Sequence, residues 1–457
     1  MTIDIKEERS KERKNILKIA IPVLAELLLA SLLGMVDMIM VGRYGSSKLS
    51  SLNISSIGVT NQLVFLGLSM IQALTVGGTA MISRYIGQNR KDRIESVVKH
   101  VVLLVQIFMV LPILIIGLGF TDQAMIFFGG SPEINAAGSG YFRVIAVGFI
   151  FQSFNFAIFA SLRGSGNTKT PMKVSILANI TNVFGNYLLI YGIGPFPELG
   201  ILGAGTSTSF SYFLSSMILF FYVLKTDHLI KLKISDGFKF DKDIIYNMLK
   251  IGFPSMLEQV ALRVGILIFV RLVSSLGPVA FATHQIGISI INLSFTQSQG
   301  LGITASALVG RSLGEENYDL AERYIEECNK YSLILSIIIG GIFFLFGGEI
   351  VSLYTENKDV ITEGESILKL IAFVQPFQSV QLTTSGGLRG AGDTMWTMIS
   401  TLIGITFVRT IFGRYFVLSL GLGLFGAWLA LLVDQAIRWI VIRFRYKTGK
   451  WKYVKLR

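Results

Sequence analysis

Two acidic residues, Glu26 and Asp37, lie in a long apolar segment near the start of the chain. They are eleven positions apart, close to three helical turns, so a helix would carry both carboxylates on one face. Ionisable groups inside a bilayer are costly and usually functional, and a carboxylate there can hold a proton or a sodium ion until a cationic substrate displaces it. For Asp37 we favour this cation site over a structural acid. For Glu26 both interpretations stay open, because it lies one turn after Pro22 and can respond to the backbone that proline disrupts.

Three asparagines in a later apolar segment have the i, i+3, i+7 spacing of a single polar stripe on a helix. Their amides can hydrogen-bond across helices, or they can line a polar pocket. We favour the pocket, because the stripe falls in the same half of the chain as Asp37. The three residues are Asn179, Asn182 and Asn186.

A further acid, Glu258, lies in an apolar segment 232 positions after Glu26. Arg263 follows it on the same predicted helix and can pair with an acid such as Glu258. His284 is a candidate proton relay because histidine titrates near neutral pH, although a hydrogen-bonded structural histidine is the commoner case.

Other polar residues inside apolar segments have secondary or structural interpretations. Gln378 lies 226 positions after Gln152 and is a candidate site residue, with Gln152 in a supporting role. Asp434 and Arg438 have i, i+4 spacing, which favours a structural ion pair. Arg409 is expected to extend toward the outer interface.

The composition is that of an integral membrane protein. Hydrophobic residues make up 52% of the 457 residues and charged residues only 15%, with a mean hydropathy of +0.61. The first 15 residues are charged and polar, which argues against a cleavable signal peptide. The single cysteine, Cys328, excludes an intrachain disulfide, and the three histidines lack metal-ligand spacing. We expect no cofactor, no bound metal other than a coupling ion, and no enzyme activity.

The apolar segments predict an all-α protein with twelve transmembrane helices. Most of the 41 Lys and Arg fall in the two tails and in the loops after even-numbered spans, which predicts that both termini are cytoplasmic. This distribution also argues against nucleic-acid binding despite the net charge of +12, and favours contact with anionic lipid headgroups. The predicted spans lie near residues 16–41, 50–83, 94–119, 136–162, 170–192, 200–224, 245–275, 280–309, 321–347, 361–386, 395–418 and 424–445.

An internal repeat organises these spans. The sequence LRGSGNT at 162–168 returns as LRGAGDT at 388–394, 226 positions later. The glycines suit a tight turn, and Asn167-Thr168 and Asp393-Thr394 suit helix capping. The repeat predicts two parallel six-helix lobes related by pseudo-twofold symmetry, which rock about a cavity to give alternating access. The predicted regions are an N-tail at 1–15, lobes at 16–224 and 244–446, a cytoplasmic linker at 225–243 and a basic C-tail at 447–457.

Taken in order, the motifs resemble those of the multidrug and toxic compound extrusion (MATE) family, over essentially the whole chain. The resemblance implies a monomeric, multi-pass plasma-membrane antiporter that exports organic cations in exchange for sodium ions or protons. The motifs are Val36-Asp37 with 41–43, and the runs at 82–88, 162–171, 182–189, 203–204, 389–394 and 426–427.

The resemblance also suggests site residues from two branches of the family. Asp37 and Asn182 match cation-site positions of the archaeal or DinF-type branch, in which the position of Asn186 is often an Asp; Asn186 can still coordinate sodium through its carbonyl oxygen. Glu258 matches an acid of the NorM-type branch, whose second acid is replaced here by Gln378. A sodium site near Asp37 or Glu258 is therefore implied, with Asp37 the first choice and Glu258 the second.

Two other functions would have different sequence features. A flippase for a lipid-linked precursor, from the same superfamily, would be expected to have a more basic cavity and often extra spans. A membrane sensor or scaffold would be expected to have a sizeable soluble domain, which the sequence lacks.

Overall fold

The computed structural model describes residues 2–45, 47–225, 229–232 and 237–456, and all regular structure in this part of the chain is helical. The helices of the first half are α1 (Thr2–Gly42), α2 (Ser47–Gly87), α3 (Lys91–Gly119), α4 (Thr121–Phe127), α5 (Pro132–Gly164), α6 (Lys169–Tyr191) and α7 (Ile201–Leu224). Those of the second half are α8 (Lys242–Ser274), α9 (Pro278–Gly314), α10 (Tyr318–Leu345), α11 (Gly347–Ser352), α12 (Lys358–Gly390), α13 (Thr394–Ser419) and α14 (Gly423–Lys447), before a short 3-10 helix at Lys450–Tyr453.

Twelve of these helices are long enough to cross a membrane. Among the described residues, ten of these helices are also apolar enough in composition to cross a membrane. The other two, α8 and α12, are 33 residues each and complete six long helices in each half. The all-α, twelve-span prediction is therefore confirmed. Helices α3 and α13 contain π-helical turns, so neither is regular throughout.

The chain forms two compact units. One comprises Ala25–Leu249, and the other comprises Lys250–Arg457 together with Met1–Leu24. The first part of α1 therefore packs with the second half of the sequence, while the part that carries Glu26 and Asp37 belongs to the first unit. The boundaries of the tails, lobes and linker that the sequence predicts remain predictions.

Glycines permit close helix packing at equivalent places in the two halves. A Cβ on Gly390 would lie 2.1 Å from the carbonyl oxygen of Ser306, and one on Gly386 would lie 2.2 Å from that of Gly302. In the first half, a Cβ on Gly164 would lie 2.8 Å from the carbonyl oxygen of Thr79. Small residues thus bring α12 against α9 and α5 against α2, as is common for helices in lipid.

The repeated glycine motifs form turns, as predicted. Gly166 has φ +82 and Gly392 has φ +85, a conformation that glycine adopts without strain. Asn167 caps the following helix, since its Oδ1 accepts a hydrogen bond from the Thr170 N–H at 3.2 Å. The capping prediction is wrong for Asp393, whose side chain makes no capping hydrogen bond. Its Oδ2 instead lies 2.6 Å from Nε of Arg445, because a nearby guanidinium is a stronger donor than a backbone amide.

Candidate functional site

In the first unit, helices α1 and α6 bring an acid and two amides together. The Asn186 amide nitrogen donates to Oδ1 of Asp37 at 2.7 Å. Asn182, one turn earlier on α6, lies between Asp37 and Thr208 of α7. Its amide is satisfied when the nitrogen faces the carboxylate, 2.8 Å from Oδ1 and 3.0 Å from Oδ2, and the oxygen faces the Thr208 hydroxyl at 3.0 Å. The side chain of Asn179 makes no hydrogen bond to any described residue.

The hydrogen-bond donors to the Asp37 carboxylate are uncharged amides. Among the described residues, no Lys, Arg or His forms an ion pair with this carboxylate. Asp37 is half-buried, whereas Asn182 and Asn186 are buried. The buried Oδ1 of Asn186 accepts no hydrogen bond in the described part of the chain. Carboxylate and amide oxygens are the ligands that hard cations prefer, so this arrangement can accept a proton or a sodium ion.

An apolar groove is lined by residues of the same two helices. Its volume is about 450 Å³, and it is lined by Met40 of α1 and by α6 residues that include Phe184 and Tyr187. Met40 follows Asp37 by three positions, and Tyr187 directly follows Asn186. The groove therefore offers apolar and aromatic surface on the two helices that carry Asp37 and Asn186, which suits the body of an organic cation.

Glu26 lies in the same unit but has a different environment. Its Oε1 accepts hydrogen bonds from Nη2 of Arg163 at 2.6 Å and from the Ser175 hydroxyl at 3.2 Å. Both partners of the ion pair are largely buried. Arg163 belongs to the repeated turn motif, so this motif also supplies the counter-ion for an acid on α1.

The second unit repeats this arrangement around Glu258 on α8. Nη2 of Arg389 lies 2.6 Å from its Oε1, and the Thr401 hydroxyl donates to the same oxygen at 3.2 Å. The Thr397 hydroxyl lies 3.0 Å from Oε2. Glu258 is thus paired with Arg389, while Arg263, the partner suggested by sequence, is an exposed residue further along α8.

The remaining predicted residues are separate from these clusters. Gln378 on α12 is buried, and its amide has no hydrogen-bond partner among the described residues. Gln152 accepts a long hydrogen bond from Asn155 at 3.5 Å. His284 is buried between the rings of Phe269 and Trp428, each 5.5 Å away. The structure therefore groups Asp37 with two of the three asparagines and leaves Gln378, Gln152 and His284 elsewhere.

The ion pair expected between Asp434 and Arg438 is replaced by another. Nε of Arg409 on α13 lies 2.9 Å from Oδ2 of Asp434, and Arg409 is buried. Nη2 of Arg438 instead donates to the Thr401 hydroxyl at 3.1 Å. The prediction that Arg409 extends to the interface is wrong because a buried carboxylate holds its guanidinium inside the helix bundle.

Sequence reasoning missed the two arginines and the hydroxyl residues that hold Glu26 and Glu258. A signal was present, since the glutamate and the arginine both recur in the two halves. Within the described residues there is no group of three or more His, Cys, Asp or Glu that could hold a metal ion.

Comparison with known proteins gives a consistent result. The MatE family model matches residues 22–188 and again 254–437, so each half of the internal repeat matches separately. The chain is 31% identical over 453 residues to the probable multidrug resistance protein NorM of Thermotoga maritima, covering 98% of this chain and 95% of that protein. It is 25% identical to the uncharacterized transporter YisQ of Bacillus subtilis, covering 94% and 93% of the two chains. A crystal structure of MATE in complex with MaD3S superposes with a TM-score of 0.88 at 21% identity, over 96% of this chain and 97% of that one.

Proposed function

Because this chain belongs to the MatE family of membrane transporters, we propose that it is a secondary antiporter that exports organic cations in exchange for inward sodium ions or protons. The observation that carries the proposal is the half-buried Asp37 carboxylate, held by Asn182 and Asn186 and without an ionic partner in the described residues. The relative from Thermotoga maritima is named as a probable multidrug resistance protein, which supports a drug-like substrate.

The proposed coupling is competition for one carboxylate. An organic cation binds with its charge at Asp37 and its apolar body along the groove of Met40, Phe184 and Tyr187. An incoming proton or sodium ion neutralises Asp37, and the substrate loses its electrostatic partner and leaves. Release of that ion on the other side restores the charge, so the two ligands are coupled through a single group.

The location and oligomeric state of the protein are part of this proposal. Both termini are cytoplasmic, the protein acts as a monomer in the plasma membrane, and its basic segments contact anionic lipid headgroups. Asp37, Asn182 and Asn186 form the ion site. Asn179 lies on the same helix one turn away and contributes polarity to its approach.

The test is efflux of a fluorescent organic cation from proteoliposomes under an imposed sodium gradient or an imposed pH gradient. Stimulation by sodium alone identifies an oxygen-ligand site that uses the Asn186 carbonyl beside Asp37. Stimulation by protons alone identifies Asp37 as the titrating group. No stimulation by either gradient overturns the antiporter and favours the flippase, which is then tested by translocation of a lipid-linked oligosaccharide.

A further inference from the structure

The two compact units contain the same three-residue arrangement around a buried glutamate. Glu258 is 232 positions after Glu26, and Arg389 is 226 positions after Arg163. The guanidinium-to-carboxylate distance is 2.6 Å in each unit. The hydroxyl that supports the carboxylate at 3.2 Å comes from Ser175 in one unit and from residue 401, also 226 positions later, in the other. Each compact unit thus places an arginine of its repeated motif on a glutamate.

The surroundings of these glutamates are otherwise suitable for a small cation. Carboxylate and hydroxyl oxygens are typical ligands of hard monovalent and divalent ions. In this structure the cation that those oxygens hold is the guanidinium, which carries its charge at all physiological pH values. Because the arginine is part of the same chain, its local concentration at the carboxylate is fixed and does not depend on the ions in solution.

Asp37 differs from Glu26 and Glu258 in the charge of its hydrogen-bond partners. Glu26 and Glu258 are each paired with an arginine, whereas the partners of Asp37 are the neutral amides of Asn182 and Asn186. The charge of an acid that is paired with an arginine of the same chain is already balanced without a dissolved cation. An acid held by amides alone keeps its charge available to a proton, a sodium ion or a cationic substrate.

We propose that Arg163 and Arg389 are built-in cations that occupy the carboxylates of Glu26 and Glu258, exclude dissolved ions from them, and so confine ion exchange to Asp37. This inference rests on the proposed function only in naming Asp37 as the exchanging group. It assigns the arginine of each repeated turn motif the role of a permanent competitor for a site that would otherwise accept a small cation.

The two sites differ by one hydroxyl. Residue 397 supplies a hydroxyl 3.0 Å from Oε2 of Glu258, and the equivalent position 226 residues earlier is Pro171. Oε2 of Glu26 consequently has no hydrogen-bond partner among the described residues. Without its arginine, Glu258 would therefore offer a more complete set of oxygen ligands than Glu26 would.

The experiment is equilibrium binding of radioactive sodium to the purified full-length protein, with the number of bound ions counted. Arg389→Met keeps Glu258, Thr397 and Thr401 and removes only the tethered cation. We expect it to bind one sodium ion more than the wild type, whether the wild type binds one or none. The matched control, Glu258→Gln with Arg389→Met, should return the count to the wild-type value.

A folded Arg389→Met protein that binds no additional sodium overturns the proposal, as does a loss of bound sodium in Glu258→Gln made in the otherwise unchanged chain. If Arg389→Met does not fold, Arg163→Met makes the same test in the other unit, with Glu26→Gln and Arg163→Met as its control. Failure of the antiporter proposal would be seen in wild-type efflux, whereas failure of this proposal would be seen in the ion counts of the arginine variants, so the two are distinguishable.

Discussion

The amide nitrogen of Asn186 lies 2.7 Å from Oδ1 of Asp37, although the two residues are 149 positions apart in the chain. This contact joins α1 to α6 within one compact unit and gives the carboxylate a hydrogen-bond donor that carries no charge. In the archaeal or DinF-type branch of the family that the sequence resembles, the position of Asn186 is often an Asp. The amide orients Asp37 and leaves it the only negative charge in the cluster.

Asp37→Asn tests the central role of this carboxylate. The variant keeps the side-chain size but cannot hold a proton or a negative charge, so ion-driven efflux should be lost. Binding of the organic cation should weaken by about 10- to 100-fold, the effect of losing a charge-assisted interaction. Efflux from proteoliposomes and equilibrium binding measure the two effects. Asp122→Asn, an exposed acid of the same unit, is the control, and full transport by Asp37→Asn would remove Asp37 from the mechanism.

Asn186→Leu tests whether the amide contributes beyond packing. Leucine is similar in size but cannot donate to Asp37 or offer an oxygen to a cation. We expect the affinity for the coupling ion to fall by about tenfold while the protein remains folded, because one charge-assisted hydrogen bond is lost. Asn179→Leu is the comparison on the same helix: it removes an amide that makes no side-chain hydrogen bond to Asp37, so it should lower the affinity less than Asn186→Leu does. Equal ion affinities in the two variants would contradict a direct role for Asn186.

The sequence was sufficient for the parts of this architecture that depend on periodicity. Hydropathy predicted the twelve spans, and the spacing of Asn182 and Asn186 predicted a polar face on α6 that the structure brings to Asp37. The partners of Glu26 and Glu258 were not predicted, because the register between α1 and the turn after α5 is set by tertiary packing. Arg163 lies in the last turn of α5, where its carbonyl oxygen accepts a hydrogen bond from the Gly166 N–H at 2.9 Å.

Ion pairing inside the second unit shows the same limit. The i, i+4 spacing of Asp434 and Arg438 is a valid local signal, but Arg409 from a neighbouring helix forms the ion pair with Asp434. Local spacing predicts which residues share a helical face. It does not predict which of two nearby guanidinium groups reaches the carboxylate, because that depends on how α13 packs against α14.

Thr397→Val tests the hydroxyl that distinguishes the two glutamate sites. The valine fills the same space but leaves Oε2 of Glu258 without a hydrogen bond, which should lower the free energy of unfolding by about 1–3 kcal/mol. Thermal unfolding in detergent measures the change. Thr362→Val, at an exposed position, is the control and should leave the melting temperature nearly unchanged. Identical melting temperatures for the two variants would show that the Thr397 hydroxyl does not stabilise Glu258.

Gly386→Ala tests the close approach of α12 to α9. The new methyl group would lie 2.2 Å from the Gly302 carbonyl oxygen, so the helices must separate, at a cost of about 1–3 kcal/mol. Gly341→Ala is the matched control, since nothing lies within 4 Å of its Cβ position. That variant should gain about 0.5–1 kcal/mol from reduced chain entropy. Opposite shifts in melting temperature are expected, and a stabilised Gly386→Ala protein would contradict the packing described.

Asp434→Asn tests the buried ion pair with Arg409. Removal of the negative charge leaves a buried guanidinium without its counter-ion, so the free energy of unfolding should fall by about 3–5 kcal/mol. Replacement of both partners, with Asp434→Leu and Arg409→Met, should recover most of this loss, because two apolar side chains need no compensating charge. Thermal unfolding of the three proteins separates these cases. A double variant as unstable as the single one would contradict this account, because the pair would then contribute more than mutual neutralisation.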